Sequence, residues 1–322
     1  MATALTTGYS NLITPGLRKV WFSTLESIPK EGRQLFNIIG ASPGPNAPLN
    51  FFDDLQVKSL NTFGAKPQGE AVSYDVPEEG NTVRLTPYTF GKGFRITEEL
   101  AEDELYGVMK RMTRQLAMAA AHQLEVQMFR ILNGGFATTG GGTGNTAAGF
   151  DSLALFSTSH TLINQGTTYR QNRAGTLGGA SADLDLSHTA VEQALDIFEG
   201  WKNHSNMPEP KRAQTLVVDA TVNKWIAKEI TQSELKPYTG NNEVNALGGE
   251  GLEVFLAHYL TDTDSWFLLS PKAEHTLTAW MRRAPRFAIG DDFDSGDMKA
   301  KGTFRIATGF FEPDGTFGSQ GA

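Results

Sequence analysis

Residues 50–97 constrain this chain more than any other stretch. They read as a polar, extended hairpin that runs straight into about thirty-five residues of helical pattern. The hairpin carries too few apolar side chains to cover both of its faces. A two-stranded ribbon on its own is marginal in water and persists only where something packs against it. The neighbouring segments offer little cover, so other copies of the chain are the expected partner. That points to an assembling structural protein rather than a self-contained enzyme.

The 322 residues contain no cysteine, which excludes disulfides, thiolate metal sites and cysteine nucleophiles. The length suggests about two domains, and 39% apolar residues suffice for a core. Thirty-four glycines predict many turns. No run reaches the ~20 apolar residues of a membrane span. The N-terminus lacks a basic region followed by an apolar block, so neither membrane attachment nor secretion is expected. The formal net charge of −8 disfavours a tight grip on nucleic acid, which needs clustered Lys and Arg.

Read along the chain, residues 1–49 form an arm. Trp21, Phe22, Leu25 and Ile28 fit a short amphipathic helix, and Leu35, Phe36, Ile38 and Ile39 make a second apolar patch. These side chains either pack on the chain's own core or dock across a subunit boundary. SPGPNAP (residues 42–48) breaks regular structure. Residues 71–76 alternate with period two, PEEGN (residues 77–81) is read as the turn, and residues 82–88 as the returning strand. Thr97 suits an N-cap, followed by Glu98, Glu99 and Glu102. Leu105, Met109, Met112, Leu116, Leu124, Met128 and Leu132 keep helical spacing until Asn133 and Gly134 stop it, a length of ~50 Å. Gly107 marks a point where a short first helix can divide off. Further on, a helix capped by Ser187 and running to about residue 203, a buried strand TLVVD (215–219) and a helix over 221–230 are expected. Strands are expected at 252–256, 266–270 and 303–308, the last reached through the acidic turn in DDFDSGDMKA.

This order of elements resembles the major capsid protein of tailed bacteriophages, in particular the Mu-type major head subunits. FGKGFRITEELAEDELYG (90–107) looks like the hairpin's return into a spine helix. LFSTSHTL (155–162) resembles a segment recurrent in phage head subunits, and TLVVDATVNKWIAKEI (215–230) the strand–helix unit of an axial domain. WFLLSPKAEHTLTAWMRRAPRF (266–287), GDDFDSG and FRIATGFFEPDGTFGS are similar to the C-terminal end of Mu-type subunits. The resemblance spans nearly the whole chain, and the order of the segments carries it.

The resemblance implies an α+β tailed-phage major capsid fold: an N-terminal arm (1–49), an extended β-hairpin loop (50–97), a peripheral domain with a long spine helix (98–150), an axial domain (151–270), and return strands with a C-terminal tail (271–322). It implies a non-enzymatic subunit of the virion, assembled in the host cytoplasm. Hexamers and pentamers would form an icosahedral shell that encloses double-stranded DNA without sequence-specific binding. The implied partners are the chain itself, a separate scaffolding protein since no such segment precedes the arm, a portal and a decoration protein, with no cofactor. The start at Met1 implies no proteolytic maturation. Trp21, Phe22, Phe36, Lys66, Arg84, Lys92, Arg282, Arg283 and Arg286 are the candidates for contact between subunits. Some relatives weld their shells by a Lys–Asn bond. Lys58, Lys66 and Lys92 are donors in the right region, but the last asparagine, Asn245, precedes the return strands, so no cross-link is expected. Two alternatives remain: an encapsulin-like cage, and a cytoplasmic hydrolase with an unrecognised site.

The chemical signals are weak beside this. Six histidines form no HxH or HxxxH pair, which argues against zinc. Residues 142–147 match G-x-G-x-x-A but follow a helix, not a strand. Ser157, Ser159 and His160 lie close in sequence without a G-x-S-x-G elbow. Asp291, Asp292, Asp294 and Asp297 lack the spacing of an EF-hand. Lys110, Arg111 and Arg114 read as a solvated face of the spine helix. No metal, cofactor or catalytic site is expected.

Overall fold

Alternation and capping explain most of the elements in the computed structural model, which describes residues 10–40, 50–76, 78–97, 106–139, 142–161, 163, 168–175, 183–236, 243–292 and 296–321. The chain divides into two compact units. One is drawn from Met1–Asn50, Thr86–Met128 and Ala279–Ala307, the other from Phe51–Leu85, Phe129–Thr278 and Thr308–Ala322.

In the first unit the arm supplies helices α1 (Ser10–Ser27) and α2 (Gly32–Leu35) and strand β1 (Asn37–Ile39). With β2 (Phe52–Val57) and β3 (Glu79–Leu85) assigned to the second unit, the next strand here is β4 (Tyr88–Ile96), then the long helix α3 (Tyr106–Asn133). Strands β10 (Thr278–Asp291) and β11 (Met298–Gly309) complete a four-stranded sheet in the order β1-β10-β11-β4. β11 and β4 run antiparallel, with Phe304 opposite Phe90. Of the described residues in the helical stripe read from the sequence, Met109, Leu116, Met128 and Leu132 are buried and Met112 and Leu124 half-buried. Met109 and Leu116 join Ala117, Leu17, Trp21, Ile96, Phe287 and Ala300 in one core. Trp21 stacks on Phe287 at 5.3 Å. Gly302 is required there, because a Cβ on it would lie 2.5 Å from Trp21 Cη2.

The second unit is built on a sheet ordered β12-β9-β7-β8, from β7 (Thr215–Asp219), β8 (Glu253–Ala257), β9 (Trp266–Leu269) and β12 (Thr316–Ser319). Leu216, Val217 and Val218 are all buried, as a central strand covered on both faces demands. β7 and β8 are parallel, so the chain must cross over between them, and α5 (Lys224–Gln232) lies in that crossover. The preceding helix α4 (His188–Glu199) starts where Ser187 Oγ accepts from Ala190 N at 3.2 Å. It ends at Glu199, four residues short of the sequence expectation, where Gly200 takes over. A short pair, β5 (His160–Thr161) with β6 (Thr168–Arg170), was not anticipated, nor were β1 and β12.

The hairpin is real, but its parts fall elsewhere than the alternation suggested. β2 pairs antiparallel with β3, Phe52 opposite Leu85 and Asp53 opposite Arg84. Residues 71–76 belong to no strand, and Glu79–Asn81, read as turn, open β3. The turn is at Pro67–Glu70, where Glu70 N donates to Pro67 O (3.3 Å) and Gly69 takes φ +91°. Period two marks extended backbone without naming its partner, and here Pro67 and Gly69 were the stronger turn signal. The expected cap at Thr97 with Glu98, Glu99 and Glu102, the break at 42–48 and Asp294 involve residues outside those described.

Candidate assembly surface

The ribbon of residues 51–85 is anchored at its base and bare at its end. At the base, Leu85 and Val83 are buried and Phe52 packs on Phe311, ring centroids 5.9 Å apart. Asn81 Nδ2 donates to Phe150 O (2.8 Å), and Gln56 Nε2 lies 3.2 Å from both Glu312 Oε1 and His204 Nε2. Burial pushes the Glu312 carboxyl up, but hydrogen bonds from His204 and Gln56 and the charges of His204 and Arg170 outweigh it and hold the group below its ordinary value. On the outer face Arg84 makes two hydrogen bonds to Asp53 (2.7 and 2.8 Å) and lies over the Phe51 ring. The hydrogen bonds with Arg84 lower the Asp53 carboxyl.

Past the paired strands, among the described residues, the two legs are tied by Lys58–Glu78 (3.1 Å) and by Asn61 N donating to Asp75 Oδ2 (2.7 Å). Beyond these ties every described side chain is exposed. Phe63 is fully exposed, Tyr74 is 90% and Val76 84% exposed, and Leu60 and Val72 are open as well. The expectation that the hairpin has too little cover therefore holds for its distal half and not for its base.

The residues singled out from the sequence distribute as follows. Trp21 and Phe36 are buried, whereas Phe22 and Ile39 of the same arm are exposed. Lys66 sits beside the ribbon turn and Lys92 on β4, both exposed. Arg84 is engaged with Asp53. Arg282 donates to Asn50 Oδ1 at 3.1 Å, and Arg286 is exposed. Arg282 and Arg283 stand close enough to Arg305 that, after burial, their charges lower its guanidinium from the ordinary value. Arg305 joins this group through the pairing of β11 with β10, whose connecting turn is legible in the sequence but whose register is not.

Other chemical signals resolve into structure. His160 is buried, with Nδ1 2.5 Å from Asp151 Oδ2 and Nε2 3.1 Å from Asn172 Oδ1, so neither ring nitrogen serves Ser157 or Ser159. In the Gly142 loop Thr308 N donates to Gly144 O (2.8 Å) and Thr146 N to Thr308 O (2.9 Å), a clasp on β11 rather than a phosphate cradle. Asp292 pairs with Lys299 (2.5 Å) and Asp297 with Arg95. Lys110, Arg111 and Arg114 are exposed. Among the described residues no group of three or more His, Asp or Glu side chains is placed to hold a metal, and no helix is long and apolar enough to cross a membrane.

The mixed α+β fold is similar to those of solved capsid chains. The chain is similar to the capsid of an empty GTA particle at 12% identity, covering 89% of this chain and 88% of that one with a TM-score of 0.54. It is similar to the capsid of Myoviridae phage XM1 (14% identity, 91% and 90% covered, TM-score 0.52) and to Mycobacterium phage Che8 (14% identity, 90% and 90% covered, TM-score 0.52). Comparison with curated proteins gives no match. The sequence pattern of the family described as phage capsid protein matches residues 79–318, and the chain belongs to that family. It is a structural, non-enzymatic phage capsid protein, and its fold is that of the solved phage capsids.

Proposed function

We propose that this chain is the repeating subunit of a closed icosahedral shell. Hexamers and pentamers form from it, assembled in the host cytoplasm, and the shell encloses double-stranded DNA without reading its sequence. A separate scaffolding protein, a portal and a decoration protein are the partners this reading calls for. The division into arm, extended loop, peripheral domain, axial domain and return strands belongs to the same reading.

The observation that carries it is the bare distal ribbon on an anchored base. Covering Phe63, Tyr74 and Val76 on a neighbouring copy would contribute roughly 1.5–3 kcal/mol for each side chain fully buried. Repeated around a closed shell, modest contacts of this kind sum to a stable particle. Beyond Lys58 the ribbon carries Glu70, Asp75, Glu78 and Glu79 against Lys66 and Arg84, the latter already held by Asp53, and Lys92, Arg282, Arg283, Arg286 and Arg305 supply cations a neighbour would offer. Phe22 is the arm's exposed aromatic for such a contact.

The test is the pair of substitutions Phe63→Asp and Tyr74→Asp. Both positions are exposed, so thermal stability should stay within about 0.5 kcal/mol of the parent. Electron microscopy should show soluble subunits in place of shells. Closed particles of normal size from the double variant would end the proposal. Shell contacts in this reading are non-covalent, so assembled particles should run as a single monomer band in denaturing electrophoresis.

A further inference from the structure

Four of the five tryptophans, Trp21, Trp201, Trp266 and Trp280, are buried, and Trp225 is 64% exposed. It stands on α5, whose start is fixed by Asp219, whose Oδ2 accepts from Thr221 N at 2.7 Å and Val222 N at 3.2 Å. Lys224 and Lys228 hold their ammonium groups 5.1 and 5.4 Å from the centre of the Trp225 ring. Among the described residues neither lysine has a carboxylate at ion-pair distance. Val222 beside them is exposed too. This is a rigid aromatic knob with two uncommitted positive charges.

Elsewhere on the same unit is a groove of about 250 Å³ with the opposite character. Its lining is mostly polar and carries more acids than bases, Glu192, Asp196, Glu199 and Glu250 against Lys211 and Arg212, with Leu195 as an apolar contact among them. The cations beside the groove are already engaged, Lys211 with Asp314 at 2.7 Å and Arg212 with Glu250 at 3.4 Å. Among the described residues Asp196 and Glu199 have no ion-pair partner. An exposed Trp flanked by two lysines without ion-pair partners and a groove with an excess of carboxylates, two of them without ion-pair partners, complement each other in charge.

We propose that the Trp225 knob of one copy seats in the α4 groove of the next copy, with Lys224 and Lys228 facing Asp196 and Glu199. Because knob and groove are different patches, the contact is head-to-tail, and repetition about an axis closes a ring. The inference rests on the shell reading and adds to it the contact that closes each capsomer. Trp is the residue type most enriched at the energetic centres of interfaces.

Acrylamide quenching of tryptophan fluorescence reads the contact directly, since Trp225 is the exposed indole. Quenching efficiency should fall at least about threefold between dissociated subunits and assembled particles. The paired reversals K224E/K228E and D196K/E199K should each cut the assembled fraction, by sedimentation velocity, at least about tenfold, because like charges then meet across the contact. Combining all four substitutions should restore assembly, and every variant should melt like the parent because the altered side chains lie at the surface. Shells in which Trp225 stays fully quenchable, reversals that assemble normally, or a combined variant no better than either half would overturn this contact while leaving the shell reading intact. A parent chain that never forms large particles would overturn both.

Discussion

Gly32 donates its backbone N–H to Glu125 Oε2 at 2.6 Å. The bond pins the arm, at the first residue of α2, to the middle of α3, ninety-three residues away. Glu125 is buried, and burial drives its carboxyl up to about 7, against the smaller opposing pull of the Gly32 N–H. Lys30, Glu31 and Arg33 supply the remaining charge around it.

The sign of the resulting pH dependence follows from linkage. A carboxyl raised from its ordinary 4.5 to about 7 binds its proton more tightly in the folded unit than in the unfolded chain. Its stabilising contribution is complete below pH 4.5 and is lost as pH rises toward 7. The parent should therefore be more stable near pH 5 than near pH 8, by about 1–3 kcal/mol from this group. Glu125→Gln should flatten that slope while keeping an acceptor for Gly32. Thermal unfolding across the range checks this, and an unchanged slope in the variant would remove Glu125 as its source.

A second prediction concerns Gly302. Any side chain there meets the Trp21 ring, which is held on the other side by Phe287. Gly302→Ala should cost about 1–3 kcal/mol by overpacking. Trp21→Phe should destabilise by leaving a void, yet the two changes together should cost less than their sum, since each relieves the other. Strict additivity in a thermal double-mutant cycle would deny the contact.

The sequence made some of this legible and hid the rest for identifiable reasons. Helix α3, strand β7 and the Ser187 cap could be read locally, because periodicity, β-branching and a hydroxyl before a helix are signals carried by adjacent residues. The partner of β3 could not be read, since residues 71–76 and 52–57 both look extended and pairing depends on which side chains find a core. Phe52 and Gln56 find one, while Val72 and Tyr74 do not. The knob at Trp225 was visible only as a residue on a helix, because helical spacing does not tell a buried indole from an open one. The grouping of Arg305 with Arg282 and Arg283 depends on the register of two consecutive strands, β10 and β11, which the turn between them does not reveal.

A third prediction follows from Asn172, which is wholly buried. Its Nδ2 donates to Leu155 O (2.7 Å), and its Oδ1 accepts from Ser157 N (2.9 Å) and meets His160 Nε2 (3.1 Å). Asn172→Asp keeps the shape but turns the donor into an acceptor facing the Leu155 carbonyl. Each buried polar group left unpaired costs about 1–3 kcal/mol, so the variant should lose at least that much. Asn172→Ala should lose more, having no group to satisfy either side. A melting temperature within error of the parent for both would show that water repairs the gap.

The last prediction uses Glu312, whose carboxyl responds to pH in the sense opposite to Glu125. It sits below its ordinary value because, against burial, His204, Gln56 and Arg170 favour the ionised form. A depressed carboxyl contributes its stabilisation above the unfolded value near 4.5, and that is lost as pH falls through the folded one. Gln56 Nε2 donates to this carboxylate at 3.2 Å, so its protonation weakens the pin at the ribbon base. Backbone amides of β2 should then exchange faster with solvent as pH falls below 4.5, relative to the intrinsic rate at each pH, while amides of β7 hold. Glu312→Gln should show the faster β2 exchange already at neutral pH and respond little to acid. Equal protection of β2 in parent and variant across that range would separate the ribbon's anchorage from the Glu312 charge, leaving it to Phe52 on Phe311, the buried Val83 and Leu85, and the Asn81–Phe150 bond.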